Sequence, residues 1–121
     1  KVAPDLTDEA LLEAAAVVNE LQCTGMVLTN TTVSREGLVT SSHSVDAIGN
    51  GGLSGEPLAV RSSEVLSLIR KIHPDMTLIS VGGIGSKEDG KQRLDLGADF
   101  LQVYTGFVYG GPRLVKRLAE L

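Results

Sequence analysis

The sequence TLISVGGIGSKED, residues Thr77–Asp89, carries the signals of one complete βα unit. Its first part, Thr77–Val81, is a short apolar run typical of a strand buried on both faces of a parallel sheet. The glycines that follow interrupt the strand. Ser86 and Asp89 then match the capping box that begins a helix, and Gly97 is expected to end that helix. A strand, a tight turn and a helix in this order predict a βα unit.

The same order recurs on both sides of this unit. The other predicted elements are the end of a strand at Lys1–Ala3, a helix capped by Thr7 that runs to about Gln22, a strand at Met26–Leu28, a helix at Ser62–Ile72, a strand at Phe100–Val103 and a helix after Pro112. Because strands and helices alternate, the strands are expected to pair in parallel. Four units are half of an eight-unit barrel, so residues 1–121 are predicted to form an α/β half of a (β/α)8 TIM barrel. The sequence enters a strand end without a preceding methionine, which predicts that it was cut from a longer chain.

Composition limits the class of protein. The chain has 121 residues, of which 42% are hydrophobic and 21% charged, as in ordinary soluble domains and unlike collagen-like, disordered or disulfide-rich chains. The net charge of −4 argues against a broad nucleic-acid surface, because such surfaces are basic. No apolar run approaches the length of a membrane-spanning helix. The single cysteine, Cys23, is expected to be a small buried thiol.

Two strand ends that contain glycine are candidates for anion binding. Gly82 and Gly83 follow one predicted strand, and Tyr104–Gly106 follow the next. In such barrels the active site lies at the carboxyl ends of the strands, and glycines let backbone N–H groups approach a phosphate closely. Tight turns explain the same glycines equally well, so the spacing leaves both interpretations open. A dinucleotide fingerprint is not favoured, because Glu88 stands where its third glycine belongs.

Polar side chains follow another predicted strand. Thr29–Thr32 place a carboxamide and several hydroxyls at the expected barrel mouth, and a carboxamide that donates and accepts together suits the edge of a heterocycle. On the residues alone, an Asx turn that only satisfies the loop is favoured over ligand binding. Lys1 could stabilise negative charge nearby, but a terminal lysine is more often solvated. The spacing of His, Cys and acidic residues predicts no metal site and no nucleophile triad.

Several motifs together resemble one family. KVAPDL, TNTTVSR, GGLSGEPL, SVGGI and LQVYTGFVYGGP occur in register with the dihydroorotate dehydrogenases of class 2, the quinone-dependent kind. The resemblance covers essentially the whole chain and corresponds to the C-terminal half of the enzyme. It implies an FMN-binding TIM-barrel domain that oxidises dihydroorotate to orotate in pyrimidine synthesis and passes the electrons to a membrane quinone.

The resemblance also implies site residues, one set for the flavin and one for the pyrimidine. The expected FMN contacts are Lys1, Thr29, Ser54, Gly55, Gly83, Tyr104 and Thr105. The expected contacts to dihydroorotate or orotate are Asn30 and Thr31. In the flavin set, Lys1 would favour the anionic reduced ring, whereas Gly83 and the pair Tyr104-Thr105 match phosphate-binding positions. The last assignment agrees with the barrel argument above.

Other parts of the family's machinery are expected in sequence that precedes Lys1. The family uses a serine base to take a proton from C5 of dihydroorotate while a hydride leaves C6 for the flavin. No serine here matches that base, so no catalytic residue is assigned and the isolated piece is expected to be inactive. Membrane docking is likewise expected through preceding sequence, with a peripheral location on the cytoplasmic side of a bacterial cell membrane.

The remaining expectations concern the long loop, the end of one helix and the alternative functions. The polar stretch from Thr31 to Gly55 is predicted to be a long loop, and its segment Val39–Gly49 is a candidate lid over the substrate. Gln22 stands at a helix end where many relatives have glycine. Two alternatives remain open: a class 1 or other FMN-dependent barrel oxidoreductase, and a non-catalytic half-barrel that binds a phosphorylated ligand.

Overall fold

The computed structural model describes residues 1–121 and contains the alternation of strands and helices that the sequence predicts. Its elements are α1 (Asp8–Glu20), β1 (Gly25–Leu28), α2 (Ser42–Ile48), a 3-10 turn (Glu56–Leu58), α3 (Ala59–Ile72), β2 (Thr77–Val81), α4 (Lys87–Asp95), β3 (Phe100–Gln102) and α5 (Thr105–Leu118). No helix among them has the length and apolar character needed to cross a membrane.

The three strands form one parallel sheet in the order β1-β2-β3, which confirms the predicted pairing. Met26 lies beside Leu78, and Ser80 lies beside Leu101. At the free edge of β1, Val2 forms an isolated parallel bridge with Leu28. This bridge corresponds to the predicted strand end at the start of the chain. The sheet therefore aligns the carboxyl ends of all its strands along one edge.

One face of the sheet carries the hydrophobic core. Side chains alternate between the faces of a strand, and the fully buried ones point toward α1 and α3. The core is made of Leu11, Ala15, Met26, Leu28, Val65, Leu66, Ile69, Met76, Leu78 and Ala98. On the opposite face Val27 and Ile79 are only half-buried. The expectation that these strands are buried on both faces therefore holds for one face within residues 1–121.

Helix caps explain where two helices begin. Thr7 Oγ1 accepts a hydrogen bond from the Ala10 N–H at 3.2 Å, so α1 starts at the predicted residue. At α4, Ser86 Oγ accepts from the Asp89 N–H at 3.1 Å, and the Asp89 carboxylate accepts from the Ser86 N–H at 2.8 Å. Both halves of the predicted capping box are present.

Three helices differ from the sequence prediction. The segment predicted as an uninterrupted loop contains α2, which Ser41 caps and which has no buried residue. Helix α3 begins at Ala59, before the predicted Ser62, because a 3-10 turn leads directly into it. The helix predicted after Pro112 is present, but a further helical segment that begins at Thr105 precedes it, and the two meet at the non-helical Gly111 within α5. Proline has no N–H and its ring crowds the preceding turn, so the break falls at the residue before it.

The end of α1 shows why glycine suits position 22. Gln22 has a φ of 53°, in the left-handed region that glycine adopts without steric cost. The Cys23 N–H donates to the Val18 carbonyl at 3.0 Å and the Gln22 N–H to the Asn19 carbonyl at 3.1 Å, as in a glycine-terminated helix. The next residue, Cys23, is exposed, so the expectation of a buried thiol is wrong.

Asp99 ties β3 to the rest of the sheet. Its carboxylate accepts hydrogen bonds from the Leu78 N–H at 2.8 Å and from Arg70 Nη2 at 2.6 Å. The backbone hydrogen bond from Leu78, followed by the contacts with Arg70, lowers the pKa of Asp99 below its ordinary value. A carboxyl whose pKa is lowered on folding stabilises the fold above its unfolded pKa and loses that contribution as the pH falls through the folded pKa.

Replacing Asp99 with asparagine is therefore expected to lower the free energy of unfolding near neutral pH by about 1 kcal/mol, a modest figure because the carboxylate is partly exposed and screened. The difference should shrink as the pH falls below about 3.9, the ordinary pKa of aspartate. Denaturant titrations of the intact protein at neutral and acidic pH measure both effects. Asp95→Asn is the control, because Asp95 pairs only with exposed Lys91 on the same helix. An equal loss in both variants would contradict the role given to Asp99.

Candidate functional site

A cavity of about 800 Å³ lies at the carboxyl ends of the three strands. The residues that the sequence analysis selected all line it. They are Lys1, Thr29, Asn30, Thr31, Ser54, Gly55, Gly83, Tyr104 and Thr105. The sheet brings them together because parallel strands end on the same edge, so residues that follow different strands become neighbours. The cavity is also lined by Gly82 and Gly106, which the sequence analysis named as candidates for anion binding, and by residues without a sequence assignment such as Ile84 and Gln102.

The turn after β2 presents backbone donors to this cavity. Gly82 and Gly83 have φ values of 107° and 72°, which favour glycine at both positions. The N–H groups of Gly82, Gly83 and Ile84 make no hydrogen bond within the chain. A Cβ on Gly83 would lie 2.6 Å from the backbone nitrogen of Ala59, so this turn and the start of α3 can approach only because Gly83 has no side chain. Backbone N–H groups that belong to residues lining a cavity and that have no acceptor suit an anion.

The first turn of α5 lies against the same turn. A Cβ on Gly106 would overlap the Ile84 carbonyl oxygen, so the two segments pack backbone to backbone. No side chain caps α5, and the first N–H groups of a helix have no acceptor within it. These free N–H groups favour a negative charge. We call Gly82–Ile84 together with Thr105-Gly106 the backbone cradle. Its geometry has the donor character of a phosphate site, the interpretation that the spacing alone left open.

Ser54 and Gly55 are held against this cradle. Thr105 Oγ1 donates a hydrogen bond to Ser54 Oγ at 2.8 Å. A Cβ on Gly55 would lie 3.1 Å from Thr105 Cγ2, and the φ of Gly55 is 87°. The loop that ends at Gly55 therefore closes one side of the cavity. Ser54 is half-buried and has no acid or histidine hydrogen-bonded to it, so the structure gives it no activating base.

The residues after β1 are fixed through their backbones. Thr29 is 1% exposed, its N–H donates to the Val81 carbonyl at 3.0 Å, and its hydroxyl donates to the Asn30 carbonyl at 3.0 Å. The Asn30 N–H donates to the Val2 carbonyl at 2.7 Å. The Asn30 side chain is exposed to the cavity and makes no hydrogen bond within the chain. The Asx turn favoured on the residues alone is therefore absent, and both the donor and the acceptor of the carboxamide are available to a ligand.

Lys1 is exposed at the cavity wall and forms no ion pair with a carboxylate. Thr31 is half-buried against Gly52. A Cβ on Gly52 would overlap the hydroxyl group of Thr31. His43 and His73 do not line the cavity. No three His, Cys, Asp or Glu side chains come together in a way that could hold a metal ion.

The long loop is anchored at both ends and exposed between them. Thr32 and Leu53 form an antiparallel bridge, and the Asp5 carboxylate accepts hydrogen bonds from the Thr32 hydroxyl and the Val33 N–H. Arg35 donates to the Gly51 carbonyl across the loop. The segment Val39–Gly49 has no contact of this kind with the cavity wall. Its role as a lid stays a prediction.

The sequence analysis missed one residue beside the cradle. Arg93 in α4 is 1% exposed and donates to the carbonyl oxygens of Ala59 and Gly82, both at 2.9 Å. Burial lowers the pKa of its guanidinium, and the charge of Asp89 opposes that shift. In the sequence, an arginine within a polar helix is typical of a solvated face, so no local signal marks it.

The chain is similar to known proteins along its whole length. Residues 1–121 match the family model described as dihydroorotate dehydrogenase. A protein from Leifsonia xyli subsp. xyli named dihydroorotate dehydrogenase (quinone) is 48% identical over 121 residues, which are 99% of this chain and 35% of that protein. The protein of the same name from Corynebacterium glutamicum is 50% identical over 117 residues, which are 96% of this chain and 32% of that protein.

A solved structure has the same fold. The crystal structure of DHODH from Eimeria tenella in complex with ferulenol matches with a TM-score of 0.87 at 35% sequence identity. The match covers 98% of this chain and 31% of that chain. The chain thus spans about a third of the length of the curated relatives it matches.

Proposed function

Because the chain belongs to the dihydroorotate dehydrogenase family, we propose that the protein containing it oxidises dihydroorotate to orotate in de novo pyrimidine biosynthesis, with FMN as cofactor and a quinone as electron acceptor. The observation that carries the proposal is that one cavity is lined by every residue expected to contact the flavin or the pyrimidine. Relatives named dihydroorotate dehydrogenase (quinone), at 48–50% identity, support the acceptor. Neither a class 1 enzyme nor a non-catalytic half-barrel is favoured by these relatives.

The proposal includes the architecture of the whole domain. Residues 1–121 are the C-terminal half of an FMN-binding (β/α)8 barrel. Support comes from the parallel sheet, whose strand ends line the cavity, and from the match to about a third of a solved chain. A quinone acceptor also requires access to a membrane, so the protein is proposed to lie peripherally on the cytoplasmic side of the cell membrane.

The residues present fit the two ends of FMN. The backbone cradle offers the unpaired N–H groups of Gly82, Gly83 and Ile84 and the first turn of α5, a set of donors that suits a phosphate. Ser54 and Gly55 close the side of the cavity next to Thr105. Thr29 and Lys1 line the cavity beyond the cradle, where the flavin ring is proposed to lie.

FMN held by these residues would supply the acceptor for the hydride from C6 of dihydroorotate. The residues of this chain orient the reactants around that step. The Asn30 carboxamide holds one polar edge of the pyrimidine, since its donor and acceptor are both unpaired, and Thr31 offers a hydroxyl beside it. The Lys1 ammonium stabilises negative charge at the flavin ring. No residue among 1–121 is assigned as the base that accepts the proton from C5.

The proposal is tested on the intact protein that carries this sequence. We expect the purified protein to show a flavin absorption spectrum, and the chromophore released on denaturation to be FMN. We also expect dihydroorotate to reduce a quinone analogue in its presence, with no comparable rate when fumarate or NAD⁺ replaces the quinone. A protein that retains no flavin would overturn the cofactor assignment, whereas turnover with fumarate or NAD⁺ alone would overturn the acceptor.

A further inference from the structure

Arg93 is a buried cation without a matching buried anion. Its side chain is 1% exposed, and it forms no ion pair with a carboxylate. Arginine stays protonated in proteins, so its positive charge is kept although burial opposes it. Asp89, one turn earlier on α4, reduces this cost only in part, because its carboxylate accepts hydrogen bonds from the N–H groups of Gly85 and Ser86. A buried charge short of a counter-charge is costly, and in this position it is a candidate for interaction with a ligand.

The guanidinium is hydrogen-bonded to neutral oxygens next to the cavity. Nη2 donates to the carbonyls of Ala59 and Gly82, both at 2.9 Å. Nη1 donates to the hydroxyls of Ser62 at 2.8 Å and Ser80 at 3.2 Å. The remaining donor, Nε, has no partner. Arg93 thus joins α4 to the start of α3, to β2 and to the first glycine of the backbone cradle.

The bond to Gly82 also determines how the next peptide group is oriented. The carbonyl of Gly82 and the N–H of Gly83 belong to one planar trans peptide, in which the two groups point in opposite directions. The Gly82 carbonyl accepts from Arg93 Nη2, whereas the single proton of the nearby Ser62 hydroxyl is closer to the Leu58 carbonyl, at 2.7 Å against 3.0 Å for Gly82. The Gly83 N–H therefore points away from Arg93, and it has no acceptor within the chain.

We propose that Arg93 is a positioning residue for the phosphate of the cofactor: it fixes the peptide between Gly82 and Gly83 with the N–H free, and it places a positive charge behind that peptide. The inference rests on the proposed function, since it takes FMN as the ligand. A positioning role for Arg93 differs from a packing role in one measurable respect. A charge behind the cradle acts on the phosphate, whereas loss of packing disturbs the whole cavity.

Riboflavin separates the two roles because it has the ring system of FMN without the phosphate. The experiment measures the dissociation constants of FMN and riboflavin for the flavin-free intact protein and for Arg93→Gln and Arg93→Lys. Glutamine keeps N–H donors and removes the charge, and lysine keeps the charge. We expect Arg93→Gln to weaken FMN by about tenfold or more while riboflavin changes by less than about threefold, as a lost interaction between charged groups would give. Arg93→Lys should restore most of the preference for FMN.

A second variant covers the case in which Arg93→Gln does not fold. The Ser80 hydroxyl oxygen lies 3.2 Å from Arg93 Nη1. The substitution Ser80→Asp should therefore set a carboxylate beside the guanidinium and offset its charge, with Arg93 itself unchanged. The preference for FMN over riboflavin should fall in this variant too. Equal weakening of both flavins in the variants, or an unchanged preference, would overturn the inference. Failure of the unsubstituted protein to bind either flavin would instead overturn the proposed function, and with it the inference.

Discussion

Replacing Gly83 with alanine is expected to lower the affinity of the intact protein for FMN by about 100-fold, which corresponds to roughly 3 kcal/mol. Two costs combine at this position. Gly83 has a φ of 72°, and the left-handed region costs a non-glycine residue about 1–2 kcal/mol. The new Cβ would also overlap the backbone of Ala59, and forced overlap in a packed region typically costs about 1–3 kcal/mol.

This strain should appear in cofactor binding because the turn can relieve it only by moving. A shift of Gly83 away from Ala59 displaces the free N–H groups of the backbone cradle, so binding must restore the strained position. Titration of the flavin-free protein with FMN measures the affinity, and thermal unfolding of the same sample separates loss of binding from loss of fold.

Gly37 provides the matched control. Its φ of 73° is nearly that of Gly83, but no atom lies within 4 Å of the position of a Cβ. Gly37→Ala therefore carries the backbone cost without the overlap and lies outside the cavity. It should bind FMN as the unsubstituted protein does. Full FMN occupancy in Gly83→Ala, with an affinity equal to that of the Gly37 variant, would contradict the phosphate assignment of the cradle.

Local sequence signals predicted those elements of the fold that depend on local chemistry. The side chains of Thr7 and Ser86 cap α1 and α4, and the apolar run Thr77–Val81 forms β2 with the predicted bounds. Helix α2 was not predicted because it buries no residue and so has no apolar period. The helix after Pro112 was predicted, but the helical segment from Thr105 to the break at Gly111 was missed, since no side chain caps it and the glycines before Pro112 indicate a loop.

The sequence predicted the part of the candidate site that is formed by residues at the ends of strands. Residues that follow β1, β2 and β3 meet in one cavity as parallel pairing requires, so Asn30, Gly83 and Thr105 could be placed together before the structure was known. Arg93 could not, because its burial depends on Ser62 and Ser80, which are distant in the sequence. Likewise, the residues after β1 favoured an Asx turn over a free carboxamide at Asn30, and that prediction was wrong. The Thr32 N–H, which an Asx turn at Asn30 would use, donates instead to the Leu53 carbonyl at 3.0 Å.

Asn30 is the residue through which the pyrimidine assignment can be tested apart from the flavin. Its backbone is held by Val2 and by the Thr29 hydroxyl, and these contacts survive truncation of the side chain. The carboxamide itself is unpaired in the cavity, so its removal should leave the fold intact. A polar group of a ligand that loses a buried partner typically loses about 1–3 kcal/mol.

Asn30→Ala in the intact protein is therefore expected to retain FMN and to lower kcat/KM for dihydroorotate by about 10- to 100-fold. Steady-state rates with a quinone analogue, together with the flavin spectrum of the same sample, measure both quantities. Asn50→Ala is the control, because Asn50 is exposed in the loop and does not line the cavity. If Asn30→Ala lost FMN, the residue would belong to the flavin set, and if its kinetics matched those of the Asn50 variant, it would contact neither ligand. Only retained flavin with impaired use of dihydroorotate agrees with a carboxamide that holds the pyrimidine.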